Sequence, residues 1–284
     1  MTYYTGLTIL FQDEHLVAVD KPAGLLVHRT DLDRGEREFA VQRVRDQIGQ
    51  RVYPAHRLDR GTSGVLLFGL RPEVAQRLAT AFERREVPKA YLAIVRGHPP
   101  ESGEIDHALD RRLDAREAPR GGQRESAGRD GGCEPPPSPG GPSSELGLAS
   151  EEKQEALTRY RRLATAELDR RVDRYPTARY ALLELEPVTG RRHQLRRHLK
   201  HISHPVIGDT TYGKARHNRV FEESFGCRRL LLACVELRLL HPVTGSPVVV
   251  TAPLTGDFAD VVWRLGWGES LPVRWLAAPP GAVG

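Results

Sequence analysis

Cysteine is nearly absent. Three occur in 284 residues, Cys133, Cys227 and Cys234, and no two form a CxxC pair. So sparse and odd a count argues against a disulfide framework and a thiolate zinc site. It fits a reducing compartment, and the chain is expected in the cytoplasm. Long apolar runs are missing too: no stretch approaches the roughly 20 residues that a membrane-spanning helix needs. Met1 to Gly6 carries no basic segment leading into an apolar one, so no signal peptide is expected. There is no dinucleotide-binding glycine fingerprint, no P-loop and no HExxH pattern. His193, His198, His201 and His204 lie close in sequence, but only His198 and His201 would share a helix face, and no cysteine joins them. No metal site is expected from that pattern. Lysine is also scarce, with 5 residues among 42 basic ones.

What remains is arginine. The net charge of +5 favours a polyanionic partner, because neutralising phosphates releases condensed counterions. Arginine excess is also a common mark of a GC-rich genome, so charge alone decides little. Hydrophobic residues make up 39%, slightly low for a globule of this length, and one polar segment accounts for part of that. From about Asp114 to Glu152, glycine, proline, serine and charge dominate. Such a segment buries too little apolar area to offset its ordering entropy, so a disordered insertion is expected at about 114–152. The rest reads as one domain over residues 1–270, with 271–284 as a flexible tail.

Short strands are expected at Leu7–Leu10 and Leu16–Val19, with Asp13-Glu14 turning between them. Apolar spacing predicts helices over 38–48 and from Pro72 onward, and a basic helix over Arg191–Ile202. Further strands are expected at Gly64–Leu70, Lys89–Val95, Arg159–Leu168, Tyr180–Leu185, Arg229–Leu240 and Pro247–Thr251. Strands and helices interleave irregularly and several strands look hairpin-linked. The expected class is α+β, with a central, mostly antiparallel sheet.

Three segments could carry chemistry. In Arg57-Leu58-Asp59-Arg60-Gly61-Thr62-Ser63-Gly64, an aspartate between arginines sits just before a buried strand. Nearby positive charge keeps a carboxylate ionised, and a loop anchored to a rigid strand is where catalytic groups sit. Alone, such an aspartate is more often a turn residue. In Thr189-Gly190-Arg191-Arg192-His193-Gln194-Leu195-Arg196-Arg197-His198, arginines crowd the start of a helix, where they oppose the macrodipole and call for a compensating anion. A solvated arginine face is the ordinary alternative. In Lys89-Ala90-Tyr91, a strand tyrosine either packs or stacks on a base.

Taken together, these segments resemble the RluA-type family of RNA pseudouridine synthases. Five blocks occur in the family's order: Lys21-Pro22-Ala23-Gly24 through His28, His56 through Gly64, Lys89-Ala90-Tyr91, Gly190 through His198, and His204 through Gly213. The resemblance implies a pseudouridine synthase fold whose sheet is split into two halves flanking an RNA-binding cleft. It implies isomerisation of uridine with no cofactor and no metal. Asp59 would be the catalytic carboxylate, Arg196 its ion-pair partner, and Tyr91 a platform for the flipped uracil that could also accept its final proton. His56, Arg57, Arg60, Thr62, Arg191, His193, Leu230 and Leu232 would contact the RNA or line its pocket. An enzyme acting on a stacked base must extrude it, a task the resemblance gives to Arg57. Tyr175 to Tyr180 and Arg216 to Leu230 resemble the branch acting on uridine 65 of tRNA. A tRNA partner, no obligate protein partner and a monomer are therefore expected. The alternatives are a synthase for ribosomal RNA, an inert RNA-binding protein on the same scaffold, and a DNA-binding protein using helix 191–202. The last lacks any helix-turn-helix signature. One departure stands out: the late strand carries Leu232-Ala233-Cys234 where the family usually has Leu-His-Ala.

Overall fold

The computed structural model describes residues 6–28, 38–111, 153–172 and 174–278. The insertion expected at about 114–152 and the last part of the expected tail, 279–284, lie outside the described residues.

The first hairpin joins β1 (Thr8–Gln12) to β2 (Leu16–Lys21). Its turn is set by Asp13, whose carboxylate accepts the backbone N–H groups of His15 and Leu16 at 2.7 and 2.9 Å. Then come α1 (Ala40–Ile48), β3 (Tyr53–Pro54) and β4 (Ser63–Gly69), the last buried at every position. α2 (Pro72–Glu83) opens on a proline, whose missing N–H and fixed φ suit a first helical turn. β5 (Lys89–Arg96), β6 (Ser102–Asp106) and β7 (Leu109–Asp110) follow. β8 (Lys153–Gln154), β9 (Leu157–Leu168), β10 (Ala178–Pro187), α3 (Gln194–His201) and α4 (Ala215–Phe225) come next. β11 (Leu232–Leu240), β12 (Pro247–Thr251) and α5 (Gly256–Arg264) complete the larger elements, followed by two 3-10 turns, Gly268–Ser270 and Val273–Trp275.

The main sheet runs β1-β2-β4-β11-β5-β10-β9-β6, with β12 added to β11 and β3 to β4. Every pairing in it is antiparallel except one. β4 meets β11 in parallel over only two residue pairs, Ser63 with Ala233 and Gly64 with Cys234. Beyond that contact β11 turns to β12 and β4 stays with β2, so the sheet divides into two halves at this seam. The expected mostly antiparallel, two-halved α+β architecture is what the chain adopts.

Each face of the sheet carries its own core. Tyr91, Ala93 and Val95 of β5 join Leu195 and Leu199 of α3 on one face. Leu92 and Ile94 join α4 and α5 on the other. Each buried leucine contributes about 1.5–3 kcal/mol, which is what seats the arginine-rich α3 on the sheet. In β11 the alternation reverses at a bulge between Cys234 and Glu236. Leu232 and Cys234 face one core, and past the bulge Leu237 and Leu239 face that same core.

The bulge frees Glu236 for a second task. Its buried carboxylate accepts hydrogen bonds from Arg238, Arg274 and the Trp275 indole N–H at 2.7–2.9 Å. This corrects one expectation. Residues 271–278 do not begin a flexible tail: Leu271, Trp275 and Leu276 are buried in the second core, and Leu254 and Leu276 form a β-bridge. A proline-rich, weakly periodic sequence hid a segment held by the Trp275 indole on Glu236 and by the Trp263 indole N–H, which donates to the Ala277 carbonyl at 3.1 Å. Sequence periodicity also missed β6, α4 and α5. In α4 only His217, Val220 and Phe221 are buried, too few to stand out in an arginine-rich stretch.

Candidate active site

The Asp59 loop is stitched into place from below. Lys21, fully buried at the end of β2, donates from Nζ to the carbonyl oxygens of Pro22, Leu25 and Arg60 at 2.9, 2.7 and 3.2 Å. The backbone N–H of Gly24 donates to the same Arg60 carbonyl at 2.8 Å, and Thr62 N–H closes the turn onto the Asp59 carbonyl at 3.1 Å. Two segments that looked separate in sequence are thus one structural unit. Burial, with the charge of Arg229, draws the Lys21 ammonium down to about 7, against the opposing pull of the Asp59 and Asp20 carboxylates.

Gly64 closes the loop at the seam. Its φ is +105°, and a Cβ there would lie 2.0 Å from the Cys234 carbonyl oxygen. Only glycine lets β4 and β11 approach where the loop ends.

α3 supplies the partner. Arg196 donates from Nη1 to Asp59 Oδ2 at 3.1 Å, across 137 residues of chain. Its other donors hold Asp209, with Nε to Oδ2 at 2.7 Å and Nη2 to Oδ1 at 2.9 Å. Burial alone would lower the Arg196 pKa, but Asp209 and Asp59 outweigh it and raise it, so the guanidinium stays charged. Asp209 is pushed up by burial and pulled down further by Arg196 and by the N–H groups of Tyr212 and Thr211, so it lies below its usual value.

His193 precedes α3 with φ +55°, a left-handed conformation that costs a non-glycine residue about 1–2 kcal/mol. The strained backbone aims its ring between two groups: Nδ1 is 3.1 Å from the Tyr212 hydroxyl, and Nε2 stands 3.8 Å from Asp59 Oδ1. The helix starts at Gln194 rather than Arg191, so Arg191 and Arg192 lie in the turn ahead of it. Gln194 anchors that turn by accepting from Thr189 Oγ1 at 2.6 Å and from Arg191 N–H at 3.0 Å. Arg191 Nε donates to the Glu155 carbonyl at 3.1 Å.

A cleft of about 660 Å³ opens beside the seam, at Thr62 and Leu232, within the usual range for small-molecule sites. Asp59, Tyr91 and Arg196 line it, as do His56, Arg57, Thr62, Arg191, His193 and Leu232. Tyr91 is 9% exposed. Burial raises its phenol well above the ordinary tyrosine value, with a contribution from the Cys234 thiol hydrogen-bonded to it. The departure from the family's Leu-His-Ala therefore places a buried thiol against Tyr91, and burial pushes that thiol up to about 12.

Two of the expected contact residues lie elsewhere. Arg60 points away, donating from Nε to the Gly24 carbonyl at 3.1 Å, and Leu230 packs in the core beside Gly61. His56 lines the cleft but is also built into the fold. It stacks on Phe82 at 4.6 Å and receives the Leu67 N–H on Nε2 at 3.2 Å. Burial and nearby Lys89 draw it to about 3, so it stays neutral. Of the histidines in and after α3, His198 and His201 both meet His107, through its carbonyl and its ring, while His204 meets the Arg96 carbonyl. Sequence reasoning gave no role to Lys21 or Asp209. A lysine directly after the apolar run Leu16–Val19 and Asp20 was the available signal for the first. Nothing local marked the second.

A carboxylate on a glycine-pinned loop, held by an arginine from a distant helix beside a buried tyrosine, can be compared with known proteins. The model of the family described as RNA pseudouridylate synthase matches residues 15–201. The chain belongs to that family.

The matched span includes Asp59, Tyr91 and Arg196. Among relatives, the chain is 48% identical over 272 residues to "tRNA pseudouridine synthase C" of Pectobacterium carotovorum subsp. carotovorum, covering 96% of this chain and 65% of that protein. It is 43% identical over 268 residues to the protein of the same name from Vibrio cholerae, covering 94% and 99%. Among solved structures, Human RNA Pseudouridylate Synthase Domain Containing 1 superposes with a TM-score of 0.60 at 26% identity, covering 89% of this chain and 86% of that one. Human RNA Pseudouridylate Synthase Domain Containing 4 gives 0.61 at 24% identity, covering 91% and 93%, a likeness of fold. The synthase has no described helix long and apolar enough to cross a membrane.

Proposed function

We propose that this synthase converts uridine 65 of tRNA to pseudouridine, as a cytoplasmic monomer, with Asp59 as the catalytic carboxylate. The observation that carries the reading is the Arg196–Asp59 pair at 3.1 Å on the floor of a basic cleft. The tRNA assignment rests on the two relatives named tRNA pseudouridine synthase C.

The reaction breaks the C1′–N1 glycosidic bond, turns the uracil, and joins C1′ to C5. C5 gives up its proton and N1 gains one, so no redox carrier or group donor is consumed. Asp59 drives the bond cleavage. Arg196 orients it, and the walls keep uracil from escaping between cleavage and rejoining. Arg57 helps extrude the nucleotide, as base access requires. Tyr91, held as a phenol, is a stacking platform for the uracil rather than a ready base, and Leu232 packs beside it. Arg191 and His193 meet the RNA from the α3 side.

The test is to map pseudouridine in unmodified tRNA and ribosomal RNA incubated with the protein. The reading expects modification at position 65 of tRNA. Modification confined to ribosomal RNA overturns the tRNA assignment and leaves the chemistry standing.

A further inference from the structure

Two groups of cations line the cleft. Arg191 and Arg192 come from the turn ahead of α3, and Arg85 and Lys89 come from the end of α2 and the start of β5. Arg191 meets the RNA in the function proposed above. The second pair has no part in it. Arg85 stands in an unusual place, directly after α2 with φ +63°. Its N–H donates to the Phe82 carbonyl at 3.1 Å, and the Glu86 N–H donates to the Ala81 carbonyl at 2.9 Å. In this way of ending a helix the left-handed position usually goes to glycine, because a Cβ is strained there. Arginine holds it here, exposed and at the cleft. Lys89 and Tyr91 both line the cleft from β5, two residues and about 7 Å apart along one face of the strand. The Lys89 amine lies 5.7 Å from the centre of the Phe82 ring, and burial draws it below the usual lysine value. Among the described residues, neither the Arg85 nor the Lys89 side chain meets a carboxylate or a hydrogen-bond acceptor. Glu83 shares this wall, is exposed, and pairs with neither.

A partly desolvated cation with no counter-ion is costly to keep, and so is an arginine in a position suited to glycine. Both costs fall on one wall of the cleft, where a single anion would meet both charges. An extruded uridine brings a phosphodiester on each side, and phosphate is a strong acceptor for arginine and lysine. We propose that Arg85 and Lys89 together grip an RNA phosphate flanking the extruded uridine. The inference rests on this cleft being where the RNA binds. The spacing suits one nucleotide, with Lys89 at its phosphate and Tyr91 against its base. Neither cation touches a reacting atom; the pair binds and places the strand.

The experiment compares R85G, K89M, R85G/K89M and R84A with the wild type by thermal melt and by filter binding to tRNA at several salt concentrations. Arg84 is the adjacent exposed arginine and does not line the cleft. R85G relieves the left-handed strain, so its Tm is expected to equal or exceed the wild-type value. R85G and K89M are each expected to weaken binding about 3- to 10-fold and to lower the salt slope by about 0.7–0.9, with R84A within about 2-fold of wild type. A second measurement uses tRNA ligated to carry an uncharged methylphosphonate 5′ or 3′ of uridine 65. One of the two substitutions is expected to weaken wild-type binding about as much as removing the cations does, and to leave R85G/K89M unaffected. Wild-type affinity in folded R85G and K89M, a methylphosphonate loss undiminished in the double variant, or a wild type indifferent to both substitutions overturns the proposal. If K89M is unfolded at the assay temperature, R85G carries both measurements, because glycine fits its turn. Should the wild type modify only ribosomal RNA, the tRNA assignment falls by itself, and the same variants and substitutions are applied around the uridine it modifies, with the same outcomes deciding.

Discussion

The Cys234 carbonyl oxygen lies 2.0 Å from where a side chain on Gly64 would begin. That approach joins β4 to β11, and it fixes the end of the Asp59 loop against the strand that lies beside Tyr91. The two halves of the sheet meet at this point, so the catalytic loop and the floor of the cleft share one constraint.

Gly64→Ala should therefore be severely destabilising. The residue would be held at φ +105° and clash with backbone that has no rotamer to yield. The cost is about 3 kcal/mol or more, a fall in Tm of about 6–12 °C for a chain of this size. Thermal melts of the variant and the wild type check it, and an unchanged Tm would show that the seam can open without penalty.

Much of this seam was legible in the sequence, and its reason was not. The apolar run after Asp59 marks β4, and the glycine beginning it is visible. That its partner is Cys234, 170 positions along, is a matter of tertiary pairing that no local pattern carries. The same holds for Arg196: its helix follows from Leu195, Leu199 and Ile202, but its fork on Asp209 depends on a turn held by Asn218 of α4. The resemblance of five ordered blocks supplied Asp59, Tyr91 and Arg196. It did not separate the cleft-lining residues of the Asp59 block from Arg60, which lies in the same block but turns to the Gly24 carbonyl, nor did the late-strand likeness show that Leu230 packs in the core.

Arg191 lies in the turn ahead of α3, on the wall of the cleft. If its charge meets a phosphate, Arg191→Ala should weaken tRNA binding at low salt. It should also reduce the slope of log K against log salt by about 0.7–0.9. Filter binding at several salt concentrations measures this, and a parallel line would place Arg191 off the backbone.

Acid sensitivity should come partly from α3. His198 is buried, with its Nε2 donating to the His107 carbonyl at 3.0 Å. Burial draws its pKa to about 4 from an ordinary 6.5. Between those values the unfolded chain binds a proton that the folded protein does not, so stability falls as pH drops from 6.5 to about 4. His198→Gln keeps a donor and removes the titration. Its Tm should decline less steeply over that window, and a slope equal to the wild type would assign the acid loss elsewhere.

The central claim is that Asp59 performs the isomerisation, and tritium release from tRNA carrying 5-tritiated uridine tests it most directly. The wild-type protein should release tritium as C5 loses its hydrogen. Asp59→Asn, alike in size and able to accept from Arg196, should bind tRNA, stay folded and release none. Release from Asp59→Asn at the wild-type rate would contradict the account.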